Sequence, residues 1–236
     1  KNHFNVFREK IHNIKPFEKY NDKYILNAIA NCEGNHMSFP SPPVEVLEQL
    51  IKDNRKKPLH LVLDPSHKCV QSIMGELNDL LDILIKEDGL ERFPNFYKLL
   101  TTTFMNEILL PAINNLHKII GEEIKCQENY VWTDDIKFMT ALNHSKDNNV
   151  EVMKKLASHY LEAIIIVLQD IIPKKIMYHL VTYSQKELST KFYECVKNGN
   201  LTDLLKEYDD IHEKRTNLEK TVSELNNAKN LIQSIM

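Results

Sequence analysis

The chain has 236 residues, of which 42% are hydrophobic, 27% are charged and only 5 are glycine. Its 30 Lys and Arg against 33 Asp and Glu leave a net charge of -3. That balance gives no electrostatic case for nucleic acid or for strong attraction to an anionic membrane, and so few glycines argue against a turn-rich β architecture or a glycine-lined phosphate cradle.

Phe4, Phe7, Ile11 and Ile14 step by three and four, which predicts a first helix over 4–14, ended by Pro16. A second short helix is predicted over 24–30. Glu33-Gly34-Asn35-His36 then breaks the chain, and Pro40, Pro42 and Pro43 keep it broken. Pro43 suits the first position of a new helix, where its missing N–H costs nothing. That helix carries Val44, Leu47, Leu50 and Ile51, with kinks predicted at Pro58 and Pro65. From Val70 to Ile85 a wide apolar stripe marks a buried bundle helix. Gly89 closes it as a C-cap.

Phe93-Pro94 opens a long helix that reaches Ile124, with a bend expected at Pro111. Asn143–Asn149 is polar throughout and reads as a linker. A second long helix starts at Val150, kinks at Pro173 and continues through Val181. Asn198-Gly199-Asn200 is a sharp turn. The last helix is predicted from Leu201 to Ile235 on a heptad grid, with Arg215 and Lys229 at two core-type positions. A buried Arg must pair, and Asp210 is the expected partner in a structural ion pair. At about 1.5 Å per residue such a helix is roughly 50 Å long, more than a compact domain's diameter. The predicted architecture is therefore all-α, an elongated antiparallel four-helix bundle.

Cys32, Cys69, Cys126 and Cys195 lie far apart without a CxxC pair, so they read as reduced thiols on helices, as in a cytosolic protein. His60, His67 and Cys69 make no metal site, because four convergent ligands are needed and residues two apart on a helix diverge. No GxxxxGK[ST] motif, Ser/His/Asp order or carboxylate pair stands out, so no catalytic or cofactor-binding residue is expected. No run reaches the ~18 apolar residues of a bilayer span. No secretory signal opens the chain, and the start at Lys1 reads as a fragment of something longer.

Several runs resemble the dynamin superfamily. LDPSHKCVQSIMGEL (63–77), ERFPNFYKLL (91–100) and GEEIKCQENYVWTDDIKF (121–138) are similar to its middle domain. LQDIIPKKIMYHLV (168–181), LLKEYDDIHEKR (204–215) and SELNNAKNLIQSI (223–235) are similar to its GTPase effector region. CQEN resembles the Mx branch, whereas NYVWTDDIKF resembles the fission dynamins.

The resemblance implies a stalk: a middle-domain half over 1–142, a short linker over 143–149 where the family carries a membrane-binding insert, and an effector half over 150–236, together one structural domain. It also implies self-assembly into dimers and helical oligomers. The GTPase head and bundle signalling element, with GTP and Mg, lie outside this chain. The stalk would couple hydrolysis there to membrane fission or antiviral target binding, in the cytoplasm or peripherally at a membrane. By position, Ile119, Ile120, Ile124, Tyr178 and Leu180 would join two stalks, unless they face the core of one chain. Gly34, Asn35, His36 and Met37 would form an assembly loop, unless they are an ordinary exposed turn. The alternative function is a non-polymerising helical adaptor that binds partner helices.

Overall fold

The computed structural model describes residues 2–15, 20–33, 43–53, 56–145 and 149–235. Among these residues every regular element is helical and no strand occurs. The helices are α1 (Asn2–His12), α2 (Asp22–Glu33), α3 (Pro43–Lys52), α4 (Leu63–Glu87), α5 (Pro94–Thr103), α6 (Leu110–Asn129), α7 (Ile136–Asn143), α8 (Val150–Ile176), α9 (Tyr183–Asn198), α10 (Leu201–Leu204) and α11 (Asp209–Ile235). Two compact units are built from interleaved stretches of chain. Unit 1 comprises Lys1–Gly75 with Pro111–Tyr183, and unit 2 comprises Glu76–Leu110 with Ser184–Met236.

Unit 1 is organised by α8, against which α1, α2, α3 and α7 pack. Its apolar residues wrap most of the helix, and Met153, Leu156, Tyr160, Leu168 and Ile172 are completely buried. Such a helix is apolar because it is enclosed. By length and composition Val150–Asn198 could also cross a bilayer, although no single apolar run is long enough. Half of its most apolar stretch is buried inside the protein, as in the core helix of a globular domain. Polar groups in this core are tied down. The Tyr160 hydroxyl donates to the Gln127 carbonyl at 3.0 Å, and the Tyr20 hydroxyl donates to the Leu50 carbonyl at 2.9 Å.

The periodicity reading yields no separate helix between 124 and 150, yet α7 forms there. The Asp135 side chain caps it, accepting from the Phe138 N–H at 2.9 Å. Asn149 caps α8 in the same way, accepting from the Val152 N–H. Gly89 sits at φ 65° after α4, where its N–H donates to the Lys86 carbonyl, as expected of a left-handed C-cap.

Pro111 and Pro173 do not end their helices. A π-helical segment accompanies each of them, Phe104–Leu109 just before Pro111 and Met177–Thr182 just after Pro173. Pro111 leaves the Glu107 carbonyl, inside the first segment, without its usual donor, which a local change of winding re-pairs; the second segment begins beyond the reach of the Gln169 carbonyl freed by Pro173 and has no such account.

In unit 2, buried apolar residues come from α4, α5 and the Phe104–Leu109 segment: Leu81, Ile85, Leu100, Phe104, Ile108 and Leu109. The unbroken final helix expected from Leu201 is corrected by the structure. Helix ends at Leu204 and restarts at Asp209. Asn200 caps the short α10, and the acidic pair Asp209-Asp210 falls in the first turn of α11, where the helix dipole favours negative charge.

Candidate functional site

A continuous run of uncovered apolar residues lies in unit 2. Leu218, Val222, Leu225 and Ile232 follow the predicted heptad grid along α11, and each remains 54–66% exposed. All described side chains of α11 from His212 onward are exposed. Leu80, Ile83 and Leu84 on α4 are about half exposed as well. A groove of about 700 Å³ runs beside the α11 stripe, lined by Arg92, Glu207, Ile211, Arg215, Leu218 and Val222 among others. Heptad apolar residues of this kind form the seam of a coiled coil once a partner helix is present.

The ion pair at the start of this stripe differs from the expected one. Arg215 is exposed rather than buried, and it reaches Glu207 at 3.0 Å and Glu219 at 3.4 Å, not Asp210. The break in the helix at 205–208 explains the correction. It turns Glu207 back toward α11, where its side chain is only 6% exposed and also faces Arg92 at 3.9 Å and His212 at 3.8 Å. Asp210, on the helix itself, is exposed.

The five residues assigned to a stalk contact separate into two groups. Ile120, Ile124 and Leu180 are completely buried within the chain, so they pack the core and present nothing to a second molecule. Ile119 is half-buried. Tyr178 is 68% exposed beside the exposed Met177. The expected assembly loop, Gly34, Asn35, His36 and Met37, lies outside the described residues.

The structure brings together groups that spacing alone could not pair. Lys175 of α8 meets Glu123 of α6 at 2.9 Å. Burial alone would raise the Glu123 carboxyl, but hydrogen bonds from Lys175 and Gln127 hold it below the ordinary carboxylate range. Glu128 lies 3.2 Å from His60, and there burial wins, raising its carboxyl against the opposing pull of His60 and Lys57. The rings of His67 and His117 lie 4.2 Å apart, tilted by 37°. Burial and then the neighbouring His67 lower the His117 imidazole below its usual value.

Cys69, near His67 in sequence, is buried, and burial pushes its thiol up to about 11, so it holds no thiolate for chemistry at neutral pH. Among the described residues no group of three or more His, Cys, Asp or Glu is placed to hold a metal ion. Helical periodicity reveals which residues share a face, but not which face meets which, so these partners were invisible in the sequence.

Comparison with known families divides the chain in two. Residues 1–147 match the family described as the dynamin central region, and residues 145–235 match the dynamin GTPase effector domain. The dynamin-related protein 3B of Arabidopsis thaliana is 33% identical over 95 residues, which is 39% of this chain and 12% of that protein. The aligned part thus spans about an eighth of the relative's length.

Proposed function

We propose, from the premise that this chain belongs to the dynamin superfamily and comprises its central region and GTPase effector domain, that it is a self-assembling stalk. Both matched regions are non-catalytic parts of dynamin-family GTPases. On this reading the chain joins copies of itself into dimers and longer helical oligomers, in the cytoplasm or peripherally at a membrane. It passes the consequence of GTP hydrolysis in a separate head to a membrane or another target. The division at 143–149 into two halves of one stalk belongs to the same proposal.

The observation that carries it is the uncovered apolar stripe of α11. A fully buried Leu, Ile or Val contributes about 1.5–3 kcal/mol. Covering the half-exposed Leu218, Val222, Leu225 and Ile232 therefore yields roughly 3–7 kcal/mol gross. Association itself costs about 4–15 kcal/mol in lost rigid-body freedom. The stripe alone is too small for tight pairing, so a stable assembly recruits further exposed residues, such as Leu80, Ile83 and Leu84 or Tyr178. A heterologous contact repeated from copy to copy builds an open helix where its rotation does not close a ring.

Sedimentation or light scattering against concentration tests this. The chain is expected to form dimers and larger species as concentration rises, and Leu218→Ser/Val222→Ser/Leu225→Ser is expected to shift it toward monomer with its helical circular dichroism intact. A strict monomer at high concentration overturns the stalk reading in favour of a helical adaptor. GTP turnover by this chain would overturn both.

A further inference from the structure

The chain passes between units 1 and 2 three times, at Gly75–Glu76, Leu110–Pro111 and Tyr183–Ser184. The first passage lies within α4, the second at the start of α6 and the third at the start of α9. Among the described residues π winding occurs in two places, and both adjoin a passage. The Phe104–Leu109 segment ends two residues before Pro111, and the Met177–Thr182 segment ends two residues before Ser184. The remaining passage follows Gly75, the one glycine of α4.

Helices bend at π turns, at glycine and at proline, because each weakens or removes part of the i→i−4 ladder. The positions of the defects follow the passages rather than the prolines. Pro173 sits inside regular α winding that continues to Ile176, and the change of winding comes only after it, next to Ser184. Packing does not account for Gly75 either, since a Cβ at that position meets nothing within 4 Å. Glycine is among the weakest helix formers, so its effect there is on the backbone. Upstream of the first π segment stand the β-branched Thr101–Thr103. The Thr101 hydroxyl donates to the Tyr97 carbonyl at 3.0 Å, a bond of the kind that bends a helix.

We propose that the three passages act together as a hinge, at which units 1 and 2 change orientation while the π segments absorb the movement by exchanging π for α winding. All three must be soft for this to work, because one stiff helix running through would hold the orientation fixed. The hinge is independent of self-assembly, since every part of it belongs to a single chain.

The native thiols supply the test. Cys126 in unit 1 is exposed and Cys195 in unit 2 is half-exposed, whereas Cys32 and Cys69 are buried. Spin labels on Cys126 and Cys195, in chain diluted with unlabelled chain, give an intramolecular distance distribution by pulsed electron resonance. It is expected to be about twice as wide as that of a pair within unit 1, namely Cys126 with Lys23→Cys in a Cys195→Ser background. Asn106 and Tyr178 are exposed residues, one in each π segment. Deleting both removes the extra residue of each and is expected to narrow the distribution to the within-unit width. Gly75→Ala is expected to narrow it in part. Gly121→Ala, equally open around its Cβ but inside unit 1, is expected to leave it unchanged. A wild-type distribution no wider than the within-unit pair overturns the proposal, as does an unchanged width in a folded deletion variant. If the deletions abolish the helical spectrum, amide exchange of the wild type decides. Residues 104–109 and 177–182 are expected to exchange about tenfold faster than 116–124 and 160–168, and equal rates overturn the hinge.

Discussion

Glu123 and Lys175 show how two ordinary surface residue types become structural once a fold encloses them. Their side chains are 17% and 26% exposed, enough shielding for the contact to exceed a surface ion pair in strength. Lys175→Met is expected to cost about 1–3 kcal/mol in urea unfolding, since it leaves a half-enclosed carboxylate without its charged donor. The pH sign follows from the lowered carboxyl of Glu123. The folded state holds its proton less tightly than the unfolded chain does. Its contribution is therefore complete above the unfolded carboxyl range and is lost as pH falls through the lower, folded value.

His117 has the same sign for a different reason. Its imidazole is lowered by burial and by the neighbouring His67, so the fold favours the neutral ring. Stability is expected to be full above the unfolded value of about 6.5 and to decline as pH drops below it. Unfolding midpoints measured between pH 7.5 and 5 check this, and His117→Gln is expected to flatten that part of the profile.

At the scale of the element, helix ends divide into those a single residue specifies and those that tertiary contacts impose. Gly89 was legible because a left-handed C-cap after a basic last turn is a local event, and the structure places it at φ 65°. Gly89→Ala is expected to lower stability by about 1 kcal/mol, read from a thermal melt, although open space surrounds the position. The break between α10 and α11 was not legible, because the apolar grid runs straight through it. Glu207, held by Arg92, His212 and Arg215, stabilises the turn. Glu207→Gln is expected to weaken that clasp and to raise amide exchange rates over 209–213 more than over the middle of α8. The two π segments belong to the same class. The prolines near them announced an irregularity, but not a change of winding.

For the whole molecule, the contrast between the two helices of 27 residues decides the functional reading. Helix α8 buries twelve of its residues within its own unit, whereas α11 is exposed along its described length from His212 onward. Backbone amides of α11 are therefore expected to exchange faster than those of α8 in dilute solution, and to slow as concentration rises if copies cover the stripe. Exchange over α11 that is insensitive to concentration, in a preparation that otherwise associates, would move the contact to other exposed residues such as Tyr178. The burial of Ile120, Ile124 and Leu180 already shows that a place in the family pattern does not make a residue available to a partner.

The sequence by itself determined the helical class, the positions of most helices, and the two dynamin-family regions, because these depend on periodicity, proline and glycine punctuation, and motif order along one chain. Only the tertiary structure decided that Arg215 pairs with Glu207 and that three of the five contact candidates are core. An apolar stripe is the same string of letters whether it is buried or bare. What covers it is a property of the neighbouring helices in space.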